Sequence, residues 1–310
     1  MAKIHFIVNP LRESIGQRWP YEEKKIERIT QDFEVHISRG RLHAELLVRK
    51  AIKQGAELIV SVGGDSTLSE IINGLYRVSQ GGGPVAKLAL HCELHAGDTR
   101  SSLKLDKSFE SFLIRYLRGE AEETKIDLGE IAFTGDYGQT VRRVFANAAG
   151  FGFSSVIVSN LSSNHRIKRT RWNFFKMIGR NAPFYKHPNV SIKVDDKLSI
   201  DHRDVLTGLI HNGRFGGSGF ELSPNSQVSD NQLEVSVILR SLSYRYLLAM
   251  IPLFAGLLHK VGFVKRFRGQ KIEVDVHNPQ RKVRVDFDGD CWGYLPMQVR
   301  IVPQSLTILR

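Results

Sequence analysis

Apolar and polar positions follow two different periods along the first 125 residues. Short β-branched runs at Ile4–Val8, Val35–Ile37, Leu58–Val62 and Leu88–His91 predict buried strands. Between them, apolar positions spaced three to four apart predict helices near Glu22–Phe33, His43–Gln54 and Thr67–Val78. Strand and helix alternating through short connections is the pattern of a doubly wound α/β sheet, whose ligand sites lie beyond the carboxyl ends of the strands. Two such ends stand out, Asn9-Pro10 and Gly63-Gly64-Asp65.

From about Lys125 the texture changes. Ile126–Phe133, Val141–Ala148, Val190–Val194, Val205–His211, Leu233–Leu239, Lys271–Val276, Val283–Phe287 and Met297–Val302 read as strands with few helices between them. Helical exceptions fall near Ser154–Leu161, Trp172–Ile178 and Ser243–Leu258. The expectation is an α/β domain over 1–124 and an antiparallel, β-rich domain over 125–310. The last strand, about 303–310, returns to either domain.

Composition narrows the class. The 310 residues are 42% hydrophobic and 25% charged, ordinary for a folded chain of two domains and unlike a disordered one. Two cysteines, Cys92 and Cys291, cannot build a disulfide framework, and a reducing compartment is expected. The first ten residues read as a strand rather than a signal peptide. No apolar run reaches the roughly 20 residues that span a bilayer.

The net charge of +12 is unevenly spread. Phe151–Val194 and Val235–Ile272 contain no Asp or Glu yet hold fifteen Lys and Arg, so the rest of the chain sums to −3. The first stretch interleaves its charges with Trp172, Phe174, Phe175, Phe184 and Tyr185. No zinc-finger, helix-turn-helix or RNP pattern accompanies it, so nucleic acid is not expected as a partner. Basic residues beside aromatic ones suit an anionic membrane surface, or a solvated face over an aromatic core.

The strongest chemical signal is Leu58–Leu75, LIVSVGGDSTLSEIINGL. Glycines let backbone approach a polyphosphate, while N–H groups at a helix start and nearby hydroxyls favour its charge. The same letters also describe a plain strand-to-helix turn. The stretch resembles the GGDGT-x-x-E-x-x-x-G-L motif of the diacylglycerol kinase catalytic-domain superfamily. That superfamily includes bacterial lipid kinases and sphingosine and ceramide kinases, and is distantly similar to NAD kinases. Further resemblances follow in the same order: Asn9-Pro10, then Ser38 with His43-Ala44, Phe145–Phe153, Asn212–Gly217 with Pro224-Asn225, and Asp286-Phe287-Asp288-Gly289-Asp290.

The resemblance implies a lipid kinase with an α/β nucleotide domain, a β-sandwich lipid-binding domain, and ATP with Mg²⁺ in the cleft between them. Gly63, Gly64, Asp65, Ser66, Thr67, Leu68 and Ser69 would form the nucleotide loop. Asn9, Ser38, His95, Asp98 and Asp290 would line the site. Asp288 would be the general base toward the lipid hydroxyl. Asp230, with the backbone carbonyls of Gln227 and Gln232, would hold a structural Mg²⁺. The implied partners are a lipid substrate and an anionic membrane met through Arg166–Lys193 and Arg240–Lys271. The implied location is peripheral on the cytoplasmic face, with a homodimer left open.

The chain departs from the pattern in places. The family's P-x-G-T-x-N-D is here Cys92-Glu93-Leu94-His95-Ala96-Gly97-Asp98, so only the Asp survives. Ser66 replaces a glycine, Asn231 another, and Asp290 a glutamate. These changes keep open a catalytically weak or inactive relative that binds lipid or nucleotide, and a kinase of soluble small molecules. His91 and His95 share a face only on a helix, so a metal is not favoured there. A calcium loop at Asp286–Asp290 is disfavoured because Met297 stands where its Glu is required.

Overall fold

The computed structural model describes residues 3–310 apart from 12, 95–96, 104, 106–107, 164–169, 250–251, 253–256, 258–259 and 279. The chain divides into two units, Met1–Ile126 with Gln304–Arg310, and Asp127–Pro303.

The first unit runs β1 (Ile4–Val8), α1 (Glu13–Ile29), β2 (Phe33–Ile37), α2 (His43–Lys53), β3 (Leu58–Val62), α3 (Asp65–Gln80), β4 (Lys87–Leu90), α4 (Asp98–Leu103) and α5 (Phe109–Leu117). The strands are parallel in the order β4-β3-β1-β2. All five residues of β1 and of β3 are buried, as inner strands covered on both faces require. One face packs Ile4, Phe6, Val8, Leu58, Val60 and Val62 against Ile15, Trp19 and Ile26 of α1 and Phe109, Phe112 and Leu113 of α5.

The helix expected over Glu22–Phe33 is instead α1, which starts nine residues earlier and carries Pro20 in its interior. Ile15, Trp19 and Ile26 fall at helical spacing on both sides of the proline, and burying all three outweighs the lost hydrogen bond. Phe33 belongs to the edge strand β2.

The second unit carries β5 (Glu123–Thr134, which begins in the first unit), β6 (Thr140–Phe145), β7 (Ala148–Gly152), α6 (Phe153–Ser163), α7 (Arg171–Asn181), β8 (Asn189–Val194) and β9 (Lys197–His211). There follow β10 (Phe215–Gly216), β11 (Phe220–Glu221), β12 (Leu233–Leu239), α8 (Ser243–Leu248), β13 (Val264–Gly269), β14 (Lys271–Val276), β15 (Arg284–Phe287) and β16 (Asp290–Leu309). Its pairings are antiparallel throughout, including β13-β12-β9-β7-β15 and β8-β14. A core of alternating inward residues, among them Phe145, Phe151, Val235, Val274, Phe287 and Val299, fills it.

β16 ends in the first unit, where Ile308 pairs with Leu88 of β4. The helix expected over Ser243–Leu258 is described only as α8, and much of its remainder lies outside the described residues.

Candidate active site

The carboxyl ends of β1, β2 and β3 lead into Asn9, Ser38 and Gly63. The Asn9 N–H donates to the Val62 carbonyl (2.9 Å) and the Ser38 N–H to the Val8 carbonyl (2.7 Å). The Asn9 side chain spans the gap to α3, its Nδ2 donating to Thr67 Oγ1 at 2.9 Å while its Oδ1 accepts from Leu11 N–H. Asn9, Ser38, Gly63, Gly64, Asp65, Ser66 and Thr67 therefore share one end of the sheet, the end where parallel sheets bind ligands. Leu68 and Ser69 are buried inside α3 and contribute packing. His95 lies outside the described residues.

Helix N-termini expose N–H groups that need acceptors. Three helices here obtain theirs from acidic side chains elsewhere in the chain. Glu70 accepts from Leu42 N–H (2.8 Å) and Ala44 N–H (3.1 Å) at the start of α2. Asp65 accepts from Asp98 N–H (2.7 Å) and Thr99 N–H (3.2 Å) at the start of α4. Glu93 accepts from Phe109 N–H at 2.9 and 3.1 Å at the start of α5. By contrast, α3 begins after Gly64, which offers no side chain of its own to cap it, with Ser66 and Thr67 in its first turn. This end can take an anion.

The departures from the family pattern fit this arrangement. Ser66 sits in the first turn of α3 and is absent from the residues with positive φ, so its Cβ costs no backbone strain. Gly97 stands where the pattern has Asn. A Cβ there would lie 2.2–2.3 Å from the Asp65 carboxylate, so only glycine lets the following N–H groups reach it. Gly97, Thr99 and Glu70 were not among the expected site residues. Glu70 was visible as the motif's own Glu, whereas Gly97 carried no signal beyond its position.

The neighbouring histidine is structural. His91 is buried and stacks on Phe109 with centroids 4.3 Å apart. Burial pushes its pKa down to about 4 and pushes the adjacent Cys92 thiol up to about 12.

In the second unit Asp288 and Gly289, with φ of 44° and 83°, make a two-residue turn between Phe287 and Asp290, the geometry of a type I′ hairpin. The buried Asp288 carboxylate accepts N–H bonds from Ala146 (2.8 Å), Asn147 (3.0 Å) and Ala148 (3.2 Å). These donors fix both oxygens and join the hairpin to the β6–β7 connection. Asp286 accepts from the hydroxyls of Ser154 and Ser155, each at 2.7 Å, and burial raises its pKa. Asp290 opens β16 beside the turn and is half-buried.

The residues expected to hold Mg²⁺ do not fit a divalent cation as arranged. Asp230 Oδ2 accepts from the Arg268 guanidinium (2.7 Å) and its Oδ1 from Gln232 N–H (3.1 Å). A permanent cation and a backbone donor thus already engage this carboxylate. Asn231, at φ 57°, donates its N–H to the buried Asp127 at 2.6 Å, closing the turn from within the protein. Asp127 was not among the expected residues.

The two acid-free stretches differ once folded. In the second, cross-strand and turn partners supply acids to part of the stretch: Arg266 and Arg268 meet Glu234, Lys271 meets Asp196 and Glu273, and Arg240 meets Asp204, while Arg245, Lys260 and Lys265 form no salt bridge among the described residues. In the first, Arg166, Lys168 and Arg169 lie outside the described residues. Lys176, Arg180 and Lys186 form no salt bridge among the described residues. Trp172 and Phe184 stand 58% and 85% exposed there, and Tyr244 and Leu248 of α8 are exposed at 58% and 60%. No helix among the described residues is long and apolar enough to cross a membrane.

A parallel sheet with a glycine-led helix start, followed by an antiparallel sandwich, is the plan of a two-part kinase. Residues 3–126 match the diacylglycerol kinase catalytic domain, and residues 148–310 match the YegS C-terminal NAD kinase beta sandwich-like domain. The chain belongs to this diacylglycerol kinase-like family of kinases. It is 21% identical over 299 residues to a diacylglycerol kinase of Bacillus subtilis, covering 96% of this chain and 92% of that one. It is 25% identical over 283 residues to a diacylglycerol kinase of Mycobacterium tuberculosis, covering 89% and 84%. A crystal structure of a diacylglycerol kinase from Bacillus anthracis shares the fold, with a TM-score of 0.64 at 16% identity over 99% of this chain and 96% of that one.

Proposed function

We propose that this protein is a lipid kinase that transfers the γ-phosphoryl group of MgATP to a hydroxyl of diacylglycerol or a related lipid. The observation that carries this reading is the Gly63-Gly64 turn from β3 into α3, which sets Ser66 and Thr67 in the first helical turn beside Asn9 and Ser38 at the neighbouring strand ends. Its N–H groups and the Ser66 and Thr67 hydroxyls receive nucleotide phosphate, with Asn9 holding Thr67 in place. The sequence stands within a family of kinases, whose named relatives include diacylglycerol kinases.

Phosphoryl transfer asks mainly for positioning and charge stabilisation. Asp288 is the acceptor that orients the lipid hydroxyl and takes its proton. Its rigid support from three backbone N–H groups suits a fixed acceptor. No step passes through a cation at Asp230. The protein works on the cytoplasmic membrane face, approached through the exposed aromatic and basic side chains of α7 and the neighbouring Phe184, with α8 beside them. Binding to vesicles that rises with anionic-lipid content, falls with salt, and weakens in Trp172→Ala with Phe184→Ala tests this surface. Binding indifferent to all three removes it.

A second reading is favoured by one observation. The Asp65 carboxylate is engaged by Asp98 and Thr99 N–H groups, which would suit a binding module that keeps the fold without the chemistry. Label from γ-³²P-ATP appearing in lipid in mixed micelles, and lost in Asp288→Asn, supports the kinase. Nucleotide binding without transfer supports the module.

A further inference from the structure

On the face of β1 and β2 opposite the Phe6 cluster, three side chains converge that the phosphate site does not use. His5 pairs with Glu34 and Ile7 with His36 in the parallel register, so His5, Glu34 and His36 all point to one side. His5 Nδ1 and His36 Nε2 lie 2.9 Å apart, with the two ring planes only 8° from parallel. Glu34 Oε1 lies 3.7 Å from His36 Nε2. One donor atom from each of the three residues falls within 4.8 Å of the other two.

These separations match a coordination sphere. Ligand atoms around tetrahedral zinc, at bond lengths of 2.0–2.1 Å, stand about 3.3 Å from one another. The observed 2.9 and 3.7 Å bracket that value. Two imidazoles and one carboxylate are a donor set that zinc and its neighbours favour. The two facing ring nitrogens share one hydrogen bond, one donating and one accepting; an ion replaces that bridging proton, which moves to the far nitrogen of the donor ring, so that both facing nitrogens present lone pairs. His5 and His36 are buried, while Glu34 is partly exposed and opens a path from solvent. Gln54 Nε2 donates to Glu34 at 3.0 and 3.1 Å and orients it.

We propose that His5, Glu34 and His36 form a binding site for a divalent transition metal of the zinc class, with its fourth position open to water or an external ligand. An ion there ties the edge strand β2 to β1 two residues before Ser38, so occupancy stiffens the strand ends that enter the phosphate site. Lys50 Nζ, 4.0 Å from Glu34 Oε1, opposes the ion and tunes the affinity downward.

The test is titration of the metal-free full-length protein with Co²⁺, read by its visible absorption, and with Zn²⁺, read by calorimetry. One equivalent should bind, with the intense visible bands of tetrahedral cobalt. Affinity should fall by about 10–100-fold in Glu34→Gln, be lost in His36→Asn, and rise in Lys50→Met. His277→Asn, in the exposed Asp201–His202–His277 group, should change nothing. Glu34→Gln alters a partly exposed side chain, so it reports on binding even if His36→Asn fails to fold. No stoichiometric binding by the wild type, or binding unchanged in Glu34→Gln, overturns the proposal. So does binding lost in His277→Asn.

Discussion

The starts of α2, α4 and α5 and the start of α3 pose the same chemical problem and receive opposite answers. The first three are closed by Glu70, Asp65 and Glu93, reaching in from elsewhere in the chain. The last follows two glycines, which offer no side chain of their own. Two of those acids, Asp65 and Glu70, are themselves residues of α3. The helix thus gives two of its carboxylates to its neighbours, while its own start is led in by glycines. The motif acids that look catalytic in sequence include residues whose visible work is architectural.

This contrast can be broken at graded cost. Asp65→Ala strands two N–H groups of α4 and should cost about 3–5 kcal/mol in urea unfolding. It should also abolish phosphoryl transfer, with Asp65→Asn intermediate in both. A loss of activity with unchanged stability would make Asp65 a purely chemical residue and remove the capping account.

The next effect is pH. His91 beside the α5 cap and His211 in the second unit are both buried, with pKa values lowered by burial to about 4. Above the ordinary value of 6.5 each is neutral in the folded and unfolded chain alike. Between 6.5 and 4 the unfolded chain takes up a proton that the folded one refuses, so stability falls as pH falls through that window and levels below it. The loss is up to about 3 kcal/mol per histidine. His91→Phe should flatten the slope of melting temperature between pH 7 and 4.5, and an unchanged slope would show that His91 is protonated in the fold.

Gly97→Ala should cost about 1–3 kcal/mol by pushing a methyl group into the Asp65 carboxylate. Restoring the family's Asn at that position should do no better. If Gly97→Asn were neutral or stabilising, the altered loop would not be adapted to Asp65. The smallest effect on stability is expected at Ser66→Gly, about 1 kcal/mol or less in the first helical turn, where Ser66 carries no backbone strain, while loss of the hydroxyl that receives phosphate should raise the KM for ATP by about tenfold.

Legibility in the sequence followed the range of the interaction. Local pattern located β1, β3, β12 and β14 residue for residue, because alternating or continuous apolar runs report burial directly. It missed β13, whose VKRFRG sequence is half basic, since its charges are balanced by Glu234 across the sheet and by Asp230. The same pairing is why four of the seven basic residues of Val235–Ile272 have acidic partners that the local sequence does not show. Pro20 hid the first turns of α1, a case of tertiary burial overriding propensity. At the candidate site, the clustering of Asn9, Ser38 and Gly63 was readable from strand ends. The bonds from Asp65 to Asp98 and Thr99, and from Asp288 to Ala146–Ala148, join residues more than thirty positions apart, and no spacing rule announces them. The engagement of Asp230 by Arg268 belongs to the same class.

The central claim is that the glycine-led start of α3 serves phosphoryl transfer to lipid. Its most direct test is the transfer of label from γ-³²P-ATP to diacylglycerol in mixed micelles by the wild-type protein, with Asp288→Asn as the paired control. Labelled phosphatidic acid from the wild type and at least about a hundredfold less from the variant is the predicted result. Absence of transfer to any lipid hydroxyl by a folded, ATP-binding wild type would contradict it.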